Sequence, residues 1–262
     1  MSRVLSAAIL LPAVVGIVWF LPPVWTLVLA EIAAALAFVE YAGLAAALDA
    51  HVPRVLAGSA VLATCAAVGT GSVPLDIVLL STMVAIGALA VSSGQPGPAI
   101  LHDSSAAVLA VLYIGLPLGS LAAIRGLSRD ALLLLMVTIV VSDSAQYYTG
   151  RAFGRRPLAP SISPKKTTEG AIGGVLLGAA AMTVGGLRVF PSTNVTLLAL
   201  VSITVVALGI VGDLFESLLK RTAGLKDSSS LIPGHGGILD RIDSWLFAGP
   251  VFYVFTRYLQ VP

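Results

Sequence analysis

The stretch V-F-P-S-T-N-V-T-L-L-A-L-V-S-I-T-V-V-A-L-G-I-V-G, Val189 to Gly212, runs for 24 residues without an Asp, Glu, Lys or Arg. A helix needs roughly 20 mostly apolar residues to cross the hydrocarbon core of a bilayer, so this stretch reads as a spanning helix. Working outward, Val4 to Ala30, Val55 to Leu75, Ile77 to Ile100, Ser104 to Ile124 and Gly170 to Leu187 are free of the same four residues. Ala131 to Tyr148, with Asp143 near its end, and Trp245 to Leu259, with Arg257, are shorter candidates. Pro22 and Pro23 divide the first run, because a proline pair marks a helix boundary, and a second span then extends from Val24 to Leu48.

The whole chain repeats this pattern. Of 262 residues 57% are hydrophobic and 11% charged, with a mean hydropathy of +0.98; soluble domains carry about 25% charged residues. The runs are continuously apolar rather than alternating, which excludes a transmembrane barrel. The expected fold is all-α: a polytopic integral membrane protein of about nine transmembrane helices. Val55 to Val91 reads either as two spans broken near Gly69 to Pro74 or as one re-entrant pair. Arg3 ahead of an apolar run imitates a secretory signal, but Leu21-Pro-Pro-Val-Trp25 follows where a small-residue cleavage site belongs, so the segment reads as retained.

Fifteen Lys and Arg against 13 Asp and Glu leave a net charge of +2, too balanced for a nucleic-acid binder. The partner that the composition names is the bilayer. Cys65, the lone cysteine, rules out an intramolecular disulfide and a cysteine-ligated metal site. With nine spans and the N-terminus inside, 11 of the 15 basic residues fall on inner segments. Cytoplasmic loops accumulate Lys and Arg, so both long polar loops, 149–169 and 219–243, are expected on the cytoplasmic side, in bacteria the inner face of the plasma membrane.

Charge is also unevenly spread along the chain. Residues 143 to 243 hold ten basic and seven acidic side chains, which divides the protein into an N-terminal transmembrane scaffold, 1–142, and a catalytic region, 143–262. In the first loop, V-S-D-S-A-Q-Y-Y-T-G-R-A-F-G-R-R-P-L-A-P-S-I-S-P-K-K-T-T-E-G, Asp143 ends an apolar span, where an ionised carboxylate is costly without a cation or water. It reads as a metal or substrate ligand or as a snorkelling carboxylate. Arg151, Arg155 and Arg156 are phosphate contacts or positive-inside anchors, and Lys165, Lys166, Thr167 and Thr168 have the composition of a phosphate-gripping turn.

The second block, Gly212 to Ser244, is richer. Asp213, Glu216, Ser217 and Lys220 fall at i, i+3, i+4 and i+7 and share one helix face. Asp240 and Asp243 form another acidic pair at the start of the last span. Two oxygen-bearing pairs among phosphate-binding residues suit Mg²⁺, which takes one or two carboxylates with substrate oxygens and water; the rival reading is that the acids only pair with Lys220, Arg221, Lys226 and Arg241. Between them Pro233-Gly-His-Gly-Gly237 offers Gly234, Gly236 and Gly237 for a backbone anion cradle, with His235 as phosphate donor, base or structural residue. His51 and His102 stand alone. No Walker A loop, G-x-S-x-G elbow or H-E-x-x-H is present.

The run S-L-L-K-R-T-A-G-L-K-D-S-S-S-L-I-P-G-H-G-G-I-L-D-R-I-D, Ser217 to Asp243, closely resembles the motif of phosphatidate cytidylyltransferases. The preceding G-D-L-F-E and the upstream S-D-S-A-Q-Y-Y-T-G-R-A-F-G-R-R-P-L-A-P-S-I-S-P-K-K-T are similar to the same family, so the resemblance covers Ser142 to Ser244. Thr168 and Ser229 depart from it, where an aromatic residue and a glycine are usual. The resemblance implies that CTP and phosphatidate are substrates, CDP-diacylglycerol and pyrophosphate products, Mg²⁺ the cofactor with a second cation left open, and a homodimer the favoured assembly. On it Asp213 and Asp240 are the leading metal ligands, supported by Asp243, Asp227 and Glu216. Lys220, Arg221, Lys226, Arg241 and the Gly234 to Gly237 loop are expected to grip CTP and pyrophosphate. Lys165, Lys166 and Arg151 hold nucleotide or lipid phosphate, and Asp143 joins the site. Two rivals remain: a CTP-dependent transferase for a polyprenol or ether lipid, and an ion-coupled transporter. The transporter would place charges in two symmetry-related halves, whereas here Glu31 and Glu40 are the only mid-span acids of the N-terminal half.

Overall fold

The computed structural model describes residues 2–94, 96–231 and 236–259, and they form a bundle of helices with one small hairpin. In chain order the helices are α1 (Ser2–Phe20), α2 (Pro23–Ala47), α3 (Arg54–Thr70), α4 (Leu75–Ser92), α5 (Pro98–Ala110), α6 (Leu116–Leu127), α7 (Arg129–Phe153), α8 (Thr168–Val189), α9 (Val195–Thr222) and α10 (Leu239–Val254). A π-helical turn, Val111–Gly115, joins α5 and α6 into one 30-residue rod. The strands β1 (Pro157–Ala159) and β2 (Ser163–Thr167) pair antiparallel between α7 and α8.

Local chemistry sets the boundaries. Pro23 opens α2 at its first turn, where the missing N–H costs nothing. Gly71, at φ 65°, closes α3 in the left-handed conformation and Pro74 precedes α4, so the run 55–91 breaks into two helices at the stretch from Gly69 to Pro74 where a break was expected. Ser128, Thr167 and Asn194 cap α7, α8 and α9 by accepting from Ala131 N, Gly170 N and Thr196 N.

Six rods among the described residues are long and apolar enough to cross a membrane: α2, α4, α5–α6, α7, α8 and α9. The sequence expectation was about nine. Here α3 stops at 17 residues and α10 at 16, with Asp240, Arg241 and Asp243 in its opening turns, and α1 contributes the apolar segment Leu11–Phe20. On α4 only Thr82 and Ile86 are buried, leaving an apolar flank such as lipid would cover.

Two apolar clusters bind the rods. One gathers α2, α3 and the α5–α6 rod around Phe38, Tyr41, Val61 and Ile114 and takes in Leu239 and Leu246 of α10; the other centres on α7, α9 and α10 with Leu135, Met182, Phe190 and Phe252. Helices from both ends of the chain therefore share each core. The most extensive helix contact is between α7 and α8. A Cβ at Gly178 would lie 2.9 Å from Ser142 Cβ, and one at Gly174 would run into Gln146. This G-x-x-x-G stripe brings two helices of one protomer together, as small residues do in membranes.

Candidate active site

The polar stripe of α9 occupies its last turns, where they meet the start of α10. Glu216 is fully buried, and Lys220, 7% exposed, ion-pairs through its ammonium with both Glu216 and Asp240. A lone buried charge would cost several kcal/mol; here one cation serves two carboxylates on two helices. Asp240 Oδ2 also accepts from Ser228 N at 2.9 Å, Ser228 Oγ at 2.8 Å and Gly237 N at 2.7 Å. Asp240 and Asp243 precede the apolar stretch of α10. Burial alone would raise the Asp240 carboxyl, but Lys220 and these donors outweigh it and hold it at about 2.

Beside this clamp lies a pocket of about 340 Å³ lined by Asp143 of α7, Asp213 and Lys220 of α9, Asp227 of the connecting loop, and Asp240, Arg241, Asp243, Ser244 and Trp245 of α10. Lys166, the fourth residue of β2, ion-pairs with Asp213. Asp143 accepts from Gln146 Nε2 at 3.2 Å and Asp243 from Ser244 N at 2.6 Å. Burial first, and then the facing Asp213 carboxylate, push the Asp243 carboxyl up to about 7. Negative charge on this side of the pocket exceeds what Lys166 balances.

Eight of the residues singled out from the sequence meet here: Asp143, Asp213, Lys220, Asp227, Asp240, Arg241 and Asp243 line one pocket, and Lys166 reaches it. Others lie elsewhere. Glu216 sits beneath the pocket as the buried partner of Lys220, with Oε1 lacking a hydrogen-bond partner. Lys165 is exposed, because neighbours on a strand project to opposite faces. Arg221 donates to Ile162 O at 3.3 Å and Leu225 O at 2.8 Å, tying the hairpin to the end of α9. Arg151 is exposed and donates to Tyr147 OH at 3.3 Å, and Lys226 is exposed on the loop. Gly236 takes φ 78°, a conformation that favours glycine, whereas Gly234 and His235 lie outside the described residues.

Three expectations are corrected. Lys165 to Thr167 form strand rather than a phosphate-gripping turn, and the Thr167 hydroxyl is engaged as the cap of α8. Residues 149–169 are not one loop: α7 continues to Phe153 and the hairpin fills most of the remainder. The second loop is also shorter, since α9 runs to Thr222 and α10 begins at Leu239. Sequence reading also missed a participant. Glu40, 6% exposed on α2, accepts from Ser228 Oγ, Ser229 Oγ, Ile238 N and Leu239 N at 2.6 to 2.9 Å. Its signal was a carboxylate within an apolar span, which must find donors.

Among the described residues, no three carboxylate, histidine or cysteine side chains converge as a closed metal cage. The donor set fits a magnesium ion of another kind. Mg²⁺ keeps waters and takes one or two carboxylates with substrate phosphates, and the under-compensated Asp143, Asp213 and Asp243 supply such carboxylates.

Residues 1–259 match the model of the cytidylyltransferase family. The chain belongs to that family. Relatives within it include the phosphatidate cytidylyltransferase of Haemophilus influenzae, 46% identical over 129 residues, which are 47% of this chain and 45% of that protein. That of Bacillus subtilis is 40% identical over 148 residues, 55% of each chain. That of Helicobacter pylori is 34% identical over 192 residues, 72% of this chain and 67% of the other. The chain spans about half the length of the first two relatives it matches.

Proposed function

We propose that this cytidylyltransferase-family protein transfers CMP from CTP to phosphatidate, giving CDP-diacylglycerol and pyrophosphate. The observation that carries the reading is the pocket where Asp143, Asp213, Asp240 and Asp243 meet Lys166, Lys220 and Arg241 at one end of an apolar bundle. The reaction is an exchange at phosphorus. A phosphatidate oxygen attacks the α-phosphorus of CTP, the bond to the bridging oxygen breaks, and that oxygen leaves with pyrophosphate.

Phosphatidate is a phosphate monoester with a second pKa of about 6, so its nucleophilic oxygen is largely ionised at neutral pH. The site therefore needs no strong base. What it must do is hold two polyanions in line and stabilise charge on the departing group. Arg241 and Lys166 border the pocket and supply positive charge, and Lys220 fixes the wall made by Asp240. Mg²⁺, when bound, neutralises phosphate charge and polarises the phosphoryl group; Asp213, with Asp143 and Asp243 beside it, would hold it. The bias of Lys and Arg supports a cytoplasmic-facing site, at the depth where the headgroup of an inner-leaflet lipid already lies.

The test incubates purified protein with radiolabelled CTP, Mg²⁺ and separate phosphatidate, polyprenyl phosphate and archaeal ether-lipid phosphate. Label in CDP-diacylglycerol, with stoichiometric pyrophosphate, is the expected outcome. Label only in a polyprenol or ether-lipid product transfers the assignment to that lipid, and no lipid-linked CMP overturns it.

A further inference from the structure

The connecting loop between α9 and α10 carries Asp227 near its start, and α10 opens with Asp240 and Asp243. Something must hold the two ends of this segment in register. Asp240 ties Ser228 to Gly237 from within, and the external tie comes from a helix almost 190 positions earlier in the chain. Glu40 Oε2 accepts from Ser228 Oγ at 2.9 Å and Leu239 N at 2.8 Å, and Oε1 accepts from Ser229 Oγ at 2.6 Å and Ile238 N at 2.9 Å. Each carboxylate oxygen thus takes one donor from the departing end of the loop and one from its returning end.

We propose that Glu40 is a positioning residue for the active site: its carboxylate bolts both ends of the 228–239 segment to α2 and so sets where the first turn of α10 presents Asp240 and Asp243. Three physical features converge. The acceptor is buried, where charge-assisted hydrogen bonds are strong and an unpaired carboxylate is costly. It lies at the N-terminus of α10, whose free N–H groups and dipole favour an anion. It also explains a glycine, since a Cβ at Gly237 would collide with the Glu40 carboxylate and Ser228 Oγ. Gly237 therefore meets a packing demand of this bolt, whatever it also offers to a phosphate.

The inference rests on the proposed reaction only for its catalytic readout, so the experiment adds one that does not. Full-length Glu40→Gln, Glu40→Ala and Ser229→Ala proteins in lipid nanodiscs are compared with the parent by hydrogen–deuterium exchange and by CMP transfer to phosphatidate. Glutamine keeps one acceptor oxygen, alanine keeps none, and Ser229→Ala deletes a single donor. Exchange at the Ile238 and Leu239 amides should accelerate at least about tenfold in Glu40→Gln and further in Glu40→Ala, while exchange across α7 and α8 stays at the parental rate. Turnover per folded molecule should fall about 100-fold in Glu40→Ala and about tenfold in Glu40→Gln, the scale expected when reacting groups are displaced by about 1 Å. This graded rescue by glutamine is what a general packing defect would not give.

Parental exchange at Ile238 and Leu239 in Glu40→Gln overturns the proposal. So does a loss of turnover that only tracks the folded fraction. Should Glu40→Ala fail to fold, Ser229→Ala and Glu40→Gln decide it, and unchanged exchange in both overturns it. A parent protein that transfers no CMP would instead sink the functional reading, with the exchange result still deciding the role of Glu40.

Discussion

Two carboxylates of α10, three residues apart, live in opposite environments. Asp240 receives Lys220, two backbone N–H groups and a serine hydroxyl and is held at about 2. Asp243 receives its neighbour's N–H, faces Asp213 and is pushed to about 7. The first is committed to holding the loop; the second belongs to a wall with negative charge to spare. Acidic residues in one motif thus divide between building the site and leaving its wall with uncompensated negative charge.

The largest effect expected from this division is at Asp213, which joins the under-compensated wall. Asp213→Asn should lower CTP-dependent turnover by about 1,000-fold or more with the fold intact by circular dichroism, the scale of losing electrostatic stabilisation at a reacting centre; near-parental turnover would break the comparison. Next comes Lys220→Met, which leaves Glu216 and Asp240 buried without their cation. Removing one partner of such a pair costs about 3–5 kcal/mol, readable as a lower thermal midpoint in detergent.

The sharpest pair is Asp240→Asn against Asp243→Asn in metal-free protein. The first should destabilise by about 1–3 kcal/mol, having lost charge-assisted bonds; the second should stabilise or be neutral, having relieved repulsion. The pH dependence has a sign to match. A carboxyl whose folded-state pKa is raised is penalised when ionised, so the Asp243 contribution to stability declines as pH rises from about 4 through 7, and Asp243→Asn should flatten that decline. The smallest effect belongs to Lys165. Because it is exposed on the other face of β2, Lys165→Ala should change turnover by less than about threefold, against a much larger loss for Lys166→Ala.

The helices were legible because a charge-free run of spanning length has few other fates in water or lipid. The α9 stripe was legible for a related reason, since i, i+3, i+4 and i+7 fix a face wherever the helix packs. Lys165 and Lys166 were not separable in advance: S-P-K-K-T has no alternating apolar pattern, and its pairing with β1 depends on the helices that flank it. Glu40 stood in plain view as a mid-span acid, but its donors lie 188 to 199 residues away. Nothing local in α2 names them, so the N-terminal half read as scaffold alone.

The hairpin has a mechanical corollary. Lys166 engages Asp213, and the very next residue, Thr167, both pairs with Pro157 and caps α8. Spacing between the lysine and the helix start is consequently rigid, whereas the bend at 160–162 touches neither. Inserting a residue at the bend should leave the Lys166–Asp213 pair in place at the cost of the Arg221 contact to Ile162 O; inserting one between Lys166 and Thr167 should swing the ammonium out of reach, as moving a tooth on a gear would.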